Sequence, residues 1–485
     1  MIKSSRAFSI DGRSFSFEVP IESALPIGAY VQLTAENGRE FLGQVLDERV
    51  GQATGAGFDD WVQGRGNLLA ELEGSGSVAL DGSAAFGAAQ LHPADSHMVA
   101  AHLDASLGSG VGLELGTVQG SPGVPARLHA RGFGRHTFLC GQSGSGKTYT
   151  LGILLERLLL DTDITIVVAD PNSDFVNIAT MRPAAETGLD RATYGEVAAR
   201  YGDVASRIHV FGGEASPNRL SVRFGRLTPE QQTKVLGIDP IADPEIYNAF
   251  VRTVAGLHEG DYGIGDVIRA TRASFADDQR RLGLRIENLG VEQLSVWAGD
   301  ADPMGKVLPD DARMIVLDLG ALGSDRESNI AAAALLGHLW AQRHEREPTI
   351  IVIDEAHNVC PQQPTGPNQE LATEHLIRIA GEGRKFGLYL LLATQRPDKV
   401  HPNVVSQCDN VILMKVNSAA DIASLSQTFS YAPEALVAQA AGFGLGEGFA
   451  AGKIAPDPLL FRSGRRLTFE GGSDVPSTWA TRSGP

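Results

Sequence analysis

Gly141-Gln142-Ser143-Gly144-Ser145-Gly146-Lys147-Thr148 fits the pattern G-x-x-x-x-G-K-[ST] at every fixed position. Glycines let a backbone turn its N–H groups inward around a triphosphate, and the start of a following helix adds partial positive charge. Lys147 would reach the β- and γ-phosphates and the Thr148 hydroxyl would hold Mg2+. Gly141 to Thr148, with Tyr149 after them, are the candidate nucleotide-binding residues. A second segment, Thr349-Ile-Ile-Val-Ile-Asp354-Glu355-Ala-His357, ends an apolar, β-branched run on two carboxylates. Asp354 would support the Mg2+ shell and Glu355 would orient and deprotonate the attacking water. An Asp-Glu pair at a strand end is weak by itself. Joined to the phosphate loop it points to ATP hydrolysis, because Glu355 is what a slow switch GTPase lacks.

These side chains need particular elements to hold them. His136–Cys140 reads as a short buried strand before the loop, and Leu151, Leu154, Leu155, Leu158 and Leu159 recur at helical spacing after it. Further strands are expected at Ile164–Asp170, Ile208–Phe211, Met314–Asp318, Thr349–Asp354, Leu388–Thr394 and Asn410–Val416. Strands alternating with helices predict an α/β fold, a RecA-like P-loop ATPase with a central parallel sheet. In such sheets ligands collect at the C-terminal strand ends, where Asp354 and Glu355 fall.

Three regions follow from the pattern. Residues 1–95 read as a small N-terminal β-barrel, with strands in Arg6–Val19, Ala29–Val50 and Asn67–Leu80 around turns such as Asp11-Gly12 and Asn37-Gly38. Residues 96–470 read as the ATPase domain, with a helical insertion over about 179–309. Within it, Thr228-Pro229-Glu230-Gln231 and Asp243-Pro244 are expected helix starts. Ala84–Pro125 is Gly/Ala-rich and reads as a connector. Residues 471–485, rich in Gly, Ser and Pro, read as a flexible tail.

Composition bounds the function. The chain of 485 residues is 43% hydrophobic and 20% charged, ordinary for a globular protein of two or three domains. No apolar run approaches the roughly 20 residues of a membrane span. Met1-Ile-Lys-Ser-Ser-Arg6 lacks the apolar core of a signal peptide. Cys140, Cys360 and Cys408 are isolated, which argues for the reducing cytoplasm and against a disulfide frame or zinc site. A net charge of −17 excludes a broad nucleic-acid-binding face. It leaves open a channel of local positive charge, which a ring of subunits would multiply.

Asp354-Glu355-Ala-His357 after a phosphate loop suggests a two-lobed helicase, but the residues beyond it hold no second run of βα units. The chain instead resembles the HerA branch of the HerA/FtsK ring translocases. The likeness rests on Gly132–Thr148, on Asp170-Pro-Asn-Ser-Asp174-Phe175, and on Gly381-Glu-Gly-Arg384-Lys385-Phe-Gly-Leu388 with Ala393-Thr394-Gln395-Arg396-Pro397. It implies a homohexamer with ATP sites between subunits, double-stranded DNA in a central pore, and a partner nuclease or other effector. DNA end processing and defence against phage are both in keeping with it, and no membrane is involved. Type IV secretion ATPases share the motifs, so protein transport stays open, as does a ring that scaffolds and activates an effector.

Gln395 follows a strand, where its amide could bond the γ-phosphate or the water; a polar strand cap is the plainer reading. Arg384 closes a helix, where a cation suits the dipole. The resemblance implies instead an arginine finger acting in a neighbour's site, with Lys385 and Arg396 as rivals. Lys415 could be a further sensor, and Asp170 and Asp174 have a structural or Mg2+-shell role. Two loops, Pro361–Asn368 and Pro397–Pro402, either connect elements or reach toward a pore.

Overall fold

A computed structural model describes residues 6–50, 61–73, 76–78, 80, 85–214, 216–257, 261–298 and 311–471. Apart from Gly471, the expected tail 471–485 lies outside the described residues, as does the end of the expected insertion near 309. The chain divides into two compact units. One comprises Met1–Thr162 with Cys408–Arg465, the other Asp163–Gln407 with Arg466–Pro485.

The first unit begins with an antiparallel barrel. Ser14–Pro20, Arg6–Ser9, Phe86–Pro93, Tyr30–Ala35, Glu40–Val50 and Trp61–Glu73 pair in that order, and Trp61–Glu73 pairs back onto Ser14–Pro20 to close it. Strand alternation sends Phe15, Phe17 and Val19 inward, where they meet Val31, Leu33, Phe41, Val62 and Leu91. Closure gives each of these six strands a partner on both sides. Its interior is so narrow that Gly64 and Gly66 stand opposite the Phe17 and Phe15 rings. A Cβ added at Gly66 would come 2.3 Å from Phe15 and 2.4 Å from the Gln44 carbonyl oxygen.

Ala84–Pro125 is not a connector. It holds the barrel strand Phe86–Pro93, the helix Ser96–Leu107 and the strand Gly112–Val118. Its alanines and glycines hid the alternation of Phe86, Ala89 and Leu91, all of which face the barrel core. Asp95 caps the helix by accepting from the His97 N–H at 2.6 Å. Beyond it, Thr137–Cys140 and Asn410–Leu413 pair in parallel. Glu447–Gly452, Ala455–Ser463, Gly112–Val118 and Pro125–His129 then add in antiparallel succession.

In the second unit Ile208–Phe211, Met314–Asp318, Thr165–Asp170, Thr349–Ile353 and Leu388–Thr394 run parallel in that order. Thr349–Ile353 is buried at every position, as a parallel strand covered on both faces must be. Helices Asp325–Ala341 and Pro367–Glu382 pack against each other, and Pro229–Val235 joins them. Thr228 and Gln231 form the expected capping box. Gln231 also donates to the Ala333 carbonyl at 3.0 Å. Asp243 stands at the start of Pro244–Ala255 but makes no side-chain cap. Its carboxylate is taken by Arg285 at 2.7 and 2.9 Å, since a two-point charge-assisted pair is stronger than a single N–H bond. Among the described residues no helix is long and apolar enough to cross a membrane.

The barrel's tight interior yields a prediction. Gly66→Ala should destabilise the protein by about 1–3 kcal/mol, because the ring and carbonyl it meets cannot both withdraw. Gly87→Ala, where nothing lies within 4 Å of the new atom, serves as the outward-facing control. Urea denaturation of both variants checks this, and equal midpoints would show that the barrel repacks freely.

Candidate nucleotide site

The phosphate loop lies in the first unit, between the strand Thr137–Cys140 and the helix Lys147–Asp161. Gly144 and Gly146 take φ of 76° and 90°, a left-handed backbone that suits glycine. Gly141 has a different constraint, since a Cβ there would meet Met414 at 2.6 Å. The loop is fastened from outside. Gln142 donates from its backbone to the Lys415 carbonyl at 2.9 Å and accepts from Asn417 N–H at its amide oxygen, 3.2 Å away. Gly446 N–H donates to the Ser145 carbonyl at 3.1 Å. Lys147 is buried, Thr148 and Tyr149 are half-buried, and Ser143 and Gly144 are exposed. Leu151, Leu154, Leu155, Leu158 and Leu159 bury the helix face behind the loop. Lys415 thus holds the loop through its backbone, a role that its side chain gave no sign of.

The second unit holds the strand-end carboxylates. Asp170 is fully buried and accepts backbone N–H bonds from Asn172 at 3.3 Å, Asp174 at 3.0 Å and Phe175 at 2.8 Å. The turn that aims these donors includes Ser173 at φ 61°, whose hydroxyl donates to Asp318 at 2.6 Å. Residues 466–471 brace the turn from behind. Gly471 N–H donates to the Asp174 carbonyl at 2.9 Å, and the buried Arg466 guanidinium lies 5.6 Å from the Phe175 ring centre.

Oxygens of Asp170, Asp174 and Asp354 all lie within 4.8 Å of one another. Burial pushes the Asp170 carboxyl up to about 7; its backbone N–H bonds oppose the shift, while Asp354 and Asp174 add to it. Clustered hard oxygen donors whose mutual repulsion a cation would relieve fit a divalent ion of the Mg2+ kind. Sequence reasoning named Asp354 and Thr148 for that role and left Asp170 and Asp174 between a structural and a Mg2+-shell role; these two gather with Asp354.

Glu355 follows at φ 43°, an uncommon conformation for a residue with a Cβ, and is buried. Its Oε2 accepts from the Gln395 backbone N–H at 3.4 Å and stands 3.3 Å from His357 Nδ1. The same Nδ1 is 3.0 Å from Thr394 Oγ1. His357 and Thr394 were not singled out from the sequence. Only the His in the motif Asp354-Glu355-Ala-His357 hinted at one of them. The Gln395 side chain is exposed, as are Arg384, Lys385 and Arg396. Arg384 and Lys385 lie in the turn Gly383–Phe386 that ends the helix Pro367–Glu382. The two loops, Pro361–Asn368 and Pro397–Pro402, are joined to each other. Pro361 bridges Val400, Gln362 N–H donates to Lys399 at 2.7 Å, and His401 N–H donates to Cys360 at 3.0 Å.

The raised Asp170 pKa has a definite sign. Its folded value of about 7 exceeds the ordinary aspartate value of 3.8. The contribution to stability is therefore complete below about 4 and is lost as pH rises through 7 in cation-free protein. A divalent ion reverses that loss, with apparent affinity falling about tenfold per pH unit below 7 as protons compete. Thermal unfolding with and without Mg2+ should show a larger stabilisation at pH 8 than at pH 6. Equal shifts would mean that Asp170 does not titrate at the cation site.

A family profile described as "Helicase HerA, central domain" matches residues 113–338, a span that contains the phosphate loop and Asp170. A second, "ATPase family associated with various cellular activities", matches 310–416, which contains Asp354, Glu355 and Gln395. The DNA double-strand break repair helicase HerA of Pyrococcus furiosus is 21% identical over 414 residues, 72% of this chain and 69% of that protein. A probable DNA double-strand break repair helicase HerA of Methanocaldococcus jannaschii is 32% identical over 129 residues, 27% of this chain and 25% of its own. VirB4 of Thermoanaerobacter pseudethanolicus shares the fold, with a TM-score of 0.50 at 16% identity over 77% of this chain and 99% of that one. Its likeness extends the RecA-like reading of the strands, and the HerA profile and relatives select the branch within it: this chain is a HerA-like ATPase.

Proposed function

We propose that the chain is an ATP-driven DNA translocase or helicase of the HerA type, working as a homohexamer in the cytoplasm. The observation that carries the reading is the buried carboxylate edge, with Asp170, Asp174 and Asp354 gathered within 4.8 Å and Glu355 held one residue further on. DNA as the substrate is supported by the named relatives, one described as a DNA double-strand break repair helicase and the other as a probable one. Residues 1–95 would serve as the barrel that docks a nuclease or other effector, and 96–470 as the motor with its insertion at about 179–309. DNA end processing and anti-phage defence are the two settings this partnership suits.

In the proposed reaction Lys147 and the N–H groups of Gly141–Thr148 neutralise and position the ATP phosphates, with Tyr149 beside the nucleotide. Asp354 and Thr148, with Asp170 and Asp174, would hold Mg2+, which screens phosphate charge when bound. Glu355 accepts a proton from water as the water oxygen bonds to the γ-phosphorus. The bond to the β,γ-bridging oxygen breaks, leaving ADP and inorganic phosphate. The Gln395 amide orients the water or the γ-phosphate, and Arg384 from a neighbouring subunit stabilises the charge on the leaving oxygens.

Turnover and nucleotide binding, measured separately, test these roles. Lys147→Ala should abolish ATP binding, whereas Glu355→Gln should bind ATP and lose turnover. Arg384→Ala should bind normally and lose turnover by on the order of 10³-fold, with partial recovery when mixed with Lys147→Ala subunits. Normal turnover by Glu355→Gln removes Glu355 from the mechanism. No recovery in rings shown to have exchanged subunits places the finger in cis.

A chain at −17 can hold DNA only through local positive charge, so duplex binding should be steeply salt-dependent and indifferent to sequence. Each phosphate neutralised contributes a slope of about −0.9 in log K against log salt. A duplex titration at several salt concentrations, with ATPase rate followed in parallel, measures this. Absence of both binding and stimulation at low salt would sink the translocase reading in favour of an effector scaffold.

A further inference from the structure

Glu355 presents a mechanical problem. A general base must keep its carboxylate aimed, yet this one sits on a left-handed backbone with φ 43° and ψ 52°, and its contact with the Gln395 N–H, at 3.4 Å, is a long hydrogen bond. His357 supplies a second hold. Its Nδ1 lies 3.3 Å from Glu355 Oε2 and 3.0 Å from Thr394 Oγ1, and both the histidine and glutamate side chains are largely buried, at 12% and 6% exposed. A carboxylate only accepts, so a proton on Nδ1 gives one N–H shared between the Glu355 and Thr394 oxygens, whereas the other neutral tautomer would point a lone pair at the carboxylate. Thr394 is itself fixed, fully buried at the end of Leu388–Thr394 and accepting from the Arg396 N–H at 3.0 Å.

We propose that His357 is a positioning residue that ties the Glu355 carboxylate to the strand end at Thr394 and Gln395. The inference rests on the reading of Glu355 as the base and adds what aims it. Glu355 then meets this strand end at two points, through the Gln395 N–H directly and through the imidazole that stands beside Thr394. Gln395 is the residue assigned to sense the γ-phosphate. A shift of that strand end with nucleotide state would therefore re-aim the base in the same movement, so that turnover follows from correct seating of the phosphate.

Steady-state ATP hydrolysis by the full chain tests this. His357→Leu removes the donor at similar bulk and should lower kcat by about ten- to a hundredfold with KM for ATP within about twofold, since misaiming a base affects chemistry rather than binding. His357→Asn places an amide N–H close to where Nδ1 stood and should recover most of that loss, which a merely space-filling role would not allow. Thr394→Val should also lower kcat, and the double variant with His357→Leu should be no worse than the poorer single one, because both break one chain of contacts. Thermal unfolding and the Kd for a non-hydrolysable ATP analogue, both expected near the parent values, separate these effects from misfolding.

Wild-type kcat in His357→Leu, losses that multiply in the double variant, or an Asn variant as poor as the Leu one would each overturn the proposal. Should His357→Leu fold poorly, the Asn and Thr394→Val variants carry the same decision. The Glu355→Gln variant separates the two levels. Full turnover there overturns the reading beneath the proposal, whereas lost turnover there with an intact His357→Leu overturns the proposal alone.

Discussion

Three carboxylates within 4.8 Å of one another, two of them fully buried, repel each other and lose hydration. Much of the second unit is arranged around keeping that cluster in place. The Asp170–Phe175 turn directs backbone N–H groups at one of the three carboxylates, and Ser173 takes a positive φ within that turn. Residues 466–471 return to brace the same turn, and Asp318 on the neighbouring strand accepts from its serine. The N–H bonds only partly offset burial, which is why Asp170 is still pushed up to about 7. A cation bound among these carboxylates would relieve that repulsion, and its binding would be coupled to folding through the same charges.

The phosphate loop solves the converse problem. Its shape is set partly within the loop, where the Ser145 N–H donates to the Gln142 carbonyl at 3.1 Å, and partly from its flanks. Met414 leaves no room for a side chain at Gly141, while Lys415, Asn417 and Gly446 hold the loop by backbone bonds. The leucine face of Lys147–Asp161 anchors the helix whose N-terminus faces the phosphates. Rigidity of this kind lets binding energy go into the transition state rather than into ordering the loop. The barrel uses a related economy of space, with glycines opposite phenylalanines allowing the strands to close over a small core.

The candidate catalytic carboxylates gather at strand ends. Asp170, Asp354, Glu355 and Thr394 each terminate or follow a parallel strand, where helices and loops leave room for a ligand. The joined loops at Pro361 and Val400 begin a few residues beyond Glu355 and Gln395. A change at the nucleotide has a short covalent path to that ledge, which suits a motor in which hydrolysis must become displacement.

What could be read from the chain was what local physics records. Glycine spacing states the left-handed turns of the phosphate loop directly. Apolar runs such as Thr349–Ile353 and Leu388–Thr394 declare parallel strands, because a strand covered on both faces cannot alternate. The proline and glutamine after Thr228 mark a capped helix for the same reason, since all the partners lie within one turn. Tertiary structure decided whatever depends on residues far apart in sequence. Phe86–Pro93 becomes a barrel strand because Ala89 and Leu91 face a core that only closure creates. Asp243 gives up its cap to Arg285, a partner that the helix-start pattern does not contain. Asp170 and Asp174 join Asp354, and His357 meets Thr394, because neighbouring parallel strands end side by side. Periodicity fixes the elements of a sheet, but strand order fixes which ends meet, and the pKa values and contacts of the site follow from that meeting.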